Sequence, residues 1–182
     1  VSLVGPIMWC AQSVAMGLSA AAIALISTRL GANQKEDACR FATALLYFAI
    51  GFAILLSVGT LLLLHPILNW LDTPKEIYDD SYWYLFGISF DYIGLLMLNL
   101  YMAMRQSAGD SRSGVKLNTC ASLFNAVLDP IFIFVFHFGI LGAAIATVVS
   151  KLIMVPFAWR RLHDKEFPVH IDLDTTVAMA AP

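Results

Sequence analysis

Charge is what this sequence has least of. Only 13% of its 182 residues are Asp, Glu, Lys or Arg, against about 25% in an average soluble domain, which argues against a water-solvated globular surface. Residues 1–28 carry no charge at all. They lack the basic start and cleavage site of a signal peptide. Cysteine is scarce too: Cys10, Cys39 and Cys120 are odd in number and have no paired spacing, which argues against a disulfide framework or a zinc site. No phosphate-binding loop is present, and no nucleophile stands beside a base, so soluble-style catalysis is not expected. The protein reads as no enzyme. The basic residues lie in short polar connections that membrane topology explains, and they call for no nucleic acid. Val1 in place of a methionine leads us to expect a processed, trimmed or fragmentary chain.

What is abundant is apolar surface. The chain is 59% hydrophobic with a mean hydropathy of +0.76. About 20 apolar residues cross a hydrocarbon core of about 30 Å as a helix, and five stretches qualify: 4–28, 41–64, 78–104, 115–136 and 140–159. The fold class is therefore an all-α membrane protein, a five-span helical bundle over residues 1–162, with 163–182 as a cytoplasmic linker or tail. The first span is rich in Ala, Ser and Gly, which allow close helix packing in lipid. Gly31 is read as its C-cap. Thr73-Pro74-Lys75-Glu76 reads as a capping box that opens the third span, with Tyr82, Trp83 and Tyr84 in the interfacial belt. The connections at 29–40 and 105–116 and the tail hold nine Lys or Arg, and the connections on the other side hold one. The positive-inside rule then puts the N-terminus outside and the tail in the cytoplasm. This arrangement suggests one preceding span.

Against that background a few polar side chains at membrane depth stand out. An intramembrane carboxylate costs roughly 2.5–3.5 kcal/mol to insert and is a functional hypothesis by default. Asp129 is one, with Asn125 one helical turn earlier on the same face. Pro130 has no N–H to donate and frees the carbonyl of Ala126. Such a cluster of hard oxygens suits H⁺ or Na⁺. Thr147 lies at a like depth across the turn near Phe138 and Gly139, so it can face Asp129. Asp91 is a candidate polar residue of a cavity. Lys151 is expected to snorkel or to form an internal salt bridge. The run from Gly139 to Ala146 is read as a small-residue packing face.

The segments ALISTRLGANQKEDA at 24–38, RQSAGDSRSG at 105–114, NAVLDPIFIF at 125–134 and GILGAAIATVVS at 139–150 resemble the multidrug and toxic compound extrusion (MATE) family of cation-coupled efflux transporters. The resemblance implies two lobes of six helices with a substrate cavity between them, and makes the five spans similar to helices two to six of the N-terminal lobe. The absent partners would be the first helix and the C-terminal lobe. It implies a cation-coupling site at Asp129, Asn125 and Thr147, which are then the candidate Na⁺ ligands. No cofactor is implied beyond H⁺ or Na⁺ as the coupling ion. The expected activity is a secondary antiporter in the plasma membrane that exports organic, often cationic, small molecules, present here as an incomplete lobe. The sequence leaves two other readings open: a flippase for lipid-linked substrates or polysaccharide, and a membrane scaffold subunit that transports nothing.

Overall fold

Lipid offers a backbone no hydrogen-bonding partner, so a spanning segment must satisfy its own polar groups as a helix. The computed structural model describes residues 5–163 and 168–171 and is predominantly helical there. Its helices are α1 (Gly5–Gly31), α2 (Lys35–Leu62), α3 (Leu64–Trp70), α4 (Tyr78–Ser89), α5 (Asp91–Ser107), α6 (Ser111–Pro130) and α7 (Gly139–Leu162). The stretches Met8–Gly31, Lys35–Leu62, Ser111–Val135 and Gly139–Leu162 are each long and apolar enough to cross a bilayer. Lys75–Ser89 and Asp91–Ser107 are long and apolar enough only as a pair, bent by 42° between them, the geometry of a broken span or a re-entrant loop. The all-helical bundle expected from composition is the fold observed, and the chain is an integral multi-pass membrane protein.

The packing centre is α5, which contacts α1, α2, α6 and α7. Leu96, Leu98, Leu100, Tyr101 and Met104 are buried around its circumference, the signature of a core helix. Helices α1 and α2 meet it through small residues at helical spacing: Ala11, Ala15 and Ala22 on α1, and Ala42, Ala49 and Ala53 on α2. Large apolar side chains instead point outward, among them Trp9, Leu55, Trp70 and Phe134. In water such a surface would associate; lipid or neighbouring helices would cover it in a bilayer.

Three sequence expectations are corrected. The third span is not one continuous helix. The Phe90 N–H bonds to the Gly87 carbonyl, three residues back, at 3.2 Å, and the Ser89 hydroxyl donates to the Phe86 carbonyl at 2.6 Å. A tightened turn plus a side chain bonded back into the ladder bends a helix. The capping box does not form either. Thr73 Oγ1 donates to the Leu68 carbonyl at 2.8 Å, and Lys75–Ile77 makes a single 3₁₀ turn before α4. Finally, Asn33 (φ 58°), not Gly31, takes the left-handed turn after α1.

Helix α7 continues through Leu162. Within the expected tail, Val169 and Ile171 are buried against the bundle, and the Ile171 N–H bonds to the Leu162 carbonyl at 2.7 Å. Residues 164–167 and 172–182 lie outside the described residues.

The start of α6 is fixed by Asp110. Its Oδ1 accepts from the Ser113 N–H at 3.2 Å, and its other oxygen lies 3.7 Å from Arg105. The Ser113 hydrogen bond, helped by Arg105, holds this carboxyl below its ordinary range. Asp110→Ala should therefore lower stability by about 1 kcal/mol at neutral pH, the usual worth of an N-cap. A group whose folded-state value is depressed stabilises fully above its unfolded value, near pH 4, and loses that contribution as pH falls through the folded value. Thermal melts of wild type and variant in detergent should differ at pH 7 and converge in acid.

Candidate cation site

Pro130 shapes the end of α6. With no N–H at 130, the chain widens into a π turn over Ile131–Val135, where the Phe136 N–H reaches the Ile131 carbonyl at 3.1 Å. His137 (φ 56°) and Gly139 (φ 55°) then reverse the chain, and α7 runs back along α6. At Gly142 an added Cβ would lie 2.9 Å from the Phe132 carbonyl, so α7 seats directly on the π turn's backbone. Gly142, Ala144 and Ala146 are buried, as the small-residue face predicts.

This seating brings the sequence-predicted trio together. Asn125 Nδ2 donates to Asp129 Oδ1 at 3.4 Å and to Thr147 Oγ1 at 3.3 Å, while Thr147 Oγ1 donates to the Ala143 carbonyl at 2.9 Å. All three side chains are half-buried. A carboxylate, an amide and a hydroxyl thus meet between α6 and α7. Turning the amide over presents its oxygen to the same point. That donor set fits a small hard cation or a proton on the carboxylate.

A crevice of about 110 Å³ adjoins the trio, with polar walls from Asn118, Ser122 and Asn125 on α6 and from Thr147, Ser150 and Lys151 on α7. A water occupies about 30 Å³ of liquid, so the crevice has room for a small hydrated ion. Asn118 and Ser122 were missed in the sequence. The signal was available, since positions 118, 122, 125 and 129 recur every three or four residues along one helical face.

Asp91 does not line this crevice. It opens α5 immediately after the bend, is 1% exposed, and its Oδ2 lies 2.5 Å from Lys151 Nζ. Its Oδ1 is buried with no hydrogen-bond partner among the described residues. Gly94 makes the approach possible: an added Cβ there would lie 2.9 Å from Lys151 Cβ. Of the two expectations for Lys151, the internal salt bridge is the one observed. Tyr84 on α4 lies within electrostatic reach of both Asp91 and Asp129, a proximity that residue spacing does not reveal.

Comparison with known proteins places this geometry. The family model MatE matches residues 1–131. The chain is 28% identical over 142 residues to the probable multidrug resistance protein YpnP of Bacillus subtilis (strain 168), which covers 76% of this chain and 31% of that protein. It is 30% identical over 165 residues to a FAD transporter of Shewanella oneidensis, covering 84% of this chain and 35% of that protein. A solved structure described as the outward-facing conformation of a multidrug resistance MATE family transporter of the MOP superfamily superposes with a TM-score of 0.90 at 25% identity, over 95% of this chain and 39% of that one. The chain spans about a third of the length of the curated relatives it matches.

Proposed function

The chain belongs to the MatE family of multidrug efflux transporters, and we propose that the intact protein is a secondary antiporter that uses H⁺ or Na⁺ to export organic, often cationic, compounds from the cytoplasm. The chain supplies helices of one lobe of that transporter. The remaining helices and the substrate cavity they complete belong to the intact protein. Nine Lys or Arg in the 29–40 and 105–116 connections and the tail, against one in the connections on the other side, support an orientation with the 29–40 and 105–116 connections in the cytoplasm.

The observation that carries the reading is the Asn125 amide bonded to both Asp129 and Thr147. It makes one carboxylate part of the contact between α6 and α7. Protonating Asp129 removes the charge that accepts from Asn125. A bound Na⁺ would instead draw the oxygens of Asn125 and Thr147 inward. Either event changes how α6 lies on α7, next to a π turn, a geometry frequent at functional sites. An ion that binds one arrangement more tightly shifts the lobe's population toward it. That differential affinity couples the ion gradient to substrate release.

The test is ethidium export by the intact protein in proteoliposomes under an imposed H⁺ or Na⁺ gradient. Asp129→Asn should reduce ion-driven export at least about tenfold, equivalent to roughly 1.4 kcal/mol of lost coupling. Export at the wild-type rate would sink the coupling role. A second reading, export of an anionic flavin nucleotide, is favoured by the FAD transporter among the relatives. FAD efflux without ethidium efflux from the same vesicles would select it.

A further inference from the structure

The crevice beside the trio already has a cation of its own in its wall. Lys151 lies four residues after Thr147 on the same face of α7, about 6 Å further along the helix. Its four-carbon stem can carry the ammonium a full turn in either direction. In the structure that ammonium is bonded to Asp91, on a different helix, at 2.5 Å. Two features show how this arrangement is built. Gly94, three residues after Asp91, lets the Lys151 stem cross directly over α5. Asp91 itself is buried at the bend between α4 and α5, with one carboxylate oxygen on Lys151 and the other unpartnered among the described residues. The ion pair thus joins three elements: the bend, α5 and the α7 wall of the crevice.

We propose that Asp91 is a positioning residue which parks the Lys151 ammonium outside the Asn125–Asp129–Thr147 site and so keeps that site open to a coupling cation. Freed from Asp91, Lys151 becomes a tethered competitor. Its three N–H donors suit the same hard oxygens, and its local concentration on the crevice wall is high because it is covalently attached. The inference rests on the trio being the cation site. It goes further by assigning a role to a buried pair that the trio does not contain.

The experiment measures the half-maximal concentration of the driving cation for ethidium export by the intact protein in proteoliposomes. Na⁺ is titrated at fixed pH, or pH without Na⁺, whichever ion drives the wild type. Asp91→Asn is nearly isosteric, and Lys151 remains 24% exposed, so its charge is not stranded. This variant should need at least about tenfold more driving cation, at an unchanged maximal rate. Adding Lys151→Gln to Asp91→Asn removes the competitor and should return the requirement to within about threefold of wild type. If Asp91→Asn does not reach the membrane, Asp91→Ser carries the same comparison.

A merely structural pair would lower the melting temperature and leave the cation requirement at its wild-type value. That result overturns the inference, as does failure of the double variant to restore the requirement. The two levels fail separately. Full export by Asp129→Asn removes the trio's role, whereas loss of export in Asp129→Asn with a wild-type cation requirement in Asp91→Asn removes only the role given to Asp91.

Discussion

Gly142→Leu should cost about 3 kcal/mol or more and leave little monodisperse protein after detergent extraction. The reason is local and steric. An added Cβ would lie 2.9 Å from the carbonyl carbon and oxygen of Phe132 and 3.1 Å from the Ile133 nitrogen. These are backbone atoms, so no rotamer change relieves the contact. The turn that carries them is tied by the Phe136–Ile131 hydrogen bond at 3.1 Å and the Phe138–Phe132 hydrogen bond at 3.1 Å. Leucine at 142 must therefore push α7 off α6 and separate Thr147 from Asn125. Gly51 provides the control: nothing lies within 4 Å of an added Cβ there, and alanine gains up to about 1 kcal/mol of helix propensity. Size-exclusion profiles and thermal melts of the two variants settle the matter. A wild-type melt for Gly142→Leu would refute the seating of α7 on the π turn.

Lys151→Met, alone, is the other change with a large expected effect. It leaves the Asp91 carboxylate with neither oxygen bonded among the described residues, at a position 1% exposed. Removing one member of a buried ion pair typically costs 3–5 kcal/mol, whereas replacing both by neutral groups is often tolerated. Thermal melts in one detergent should therefore rank wild type and the Asp91→Asn, Lys151→Gln double variant close together, with Lys151→Met well below. The effect is asymmetric. Asp91→Asn should melt closer to wild type, since Lys151 can turn its ammonium into the crevice. Equal destabilisation by the two single changes would contradict this account of the pair.

Parts of the site were legible because they obey helical arithmetic. Asn125 and Asp129 are one turn apart on one helix, and Pro130 announces a break in the ladder beside them. Thr147 was reached by counting residues on either side of a short turn, which works because membrane helices rise at a fixed rate per residue. Asn118 and Ser122 obey the same arithmetic and could have been found in the same way. Tyr84 and the Asp91–Lys151 pair could not. They join α4, α5 and α7, whose relative rotation depends on Gly87 and Gly94: added Cβ atoms at these glycines would lie 2.8 Å from Ala144 Cβ and 2.9 Å from Lys151 Cβ.

The broken third span was hidden for a different reason. Hydropathy counts apolar residues and does not register the direction of a helix axis. The bend is made by one hydroxyl and one shortened backbone turn around Phe90, neither of which interrupts the apolar pattern. Asn125, Asp129 and Thr147 stand out in the sequence because polar side chains are unexpected in lipid. The packing centre is instead α5, where 11 residues are buried; only Gly114 and Ala121 are buried on α6.

The sequence by itself determined that this chain is a helical membrane bundle, which family it resembles, and which carboxylate and amide share a helix face. Composition, span length and helical period are local quantities and need no partner to be read. Only the tertiary structure decided that α5 is the core, that the third span bends before Asp91, and that Lys151 is held by Asp91. Those outcomes depend on close backbone approach at particular glycines. Whether two helices can touch there is a property of both surfaces together, and one stretch of sequence records only its own.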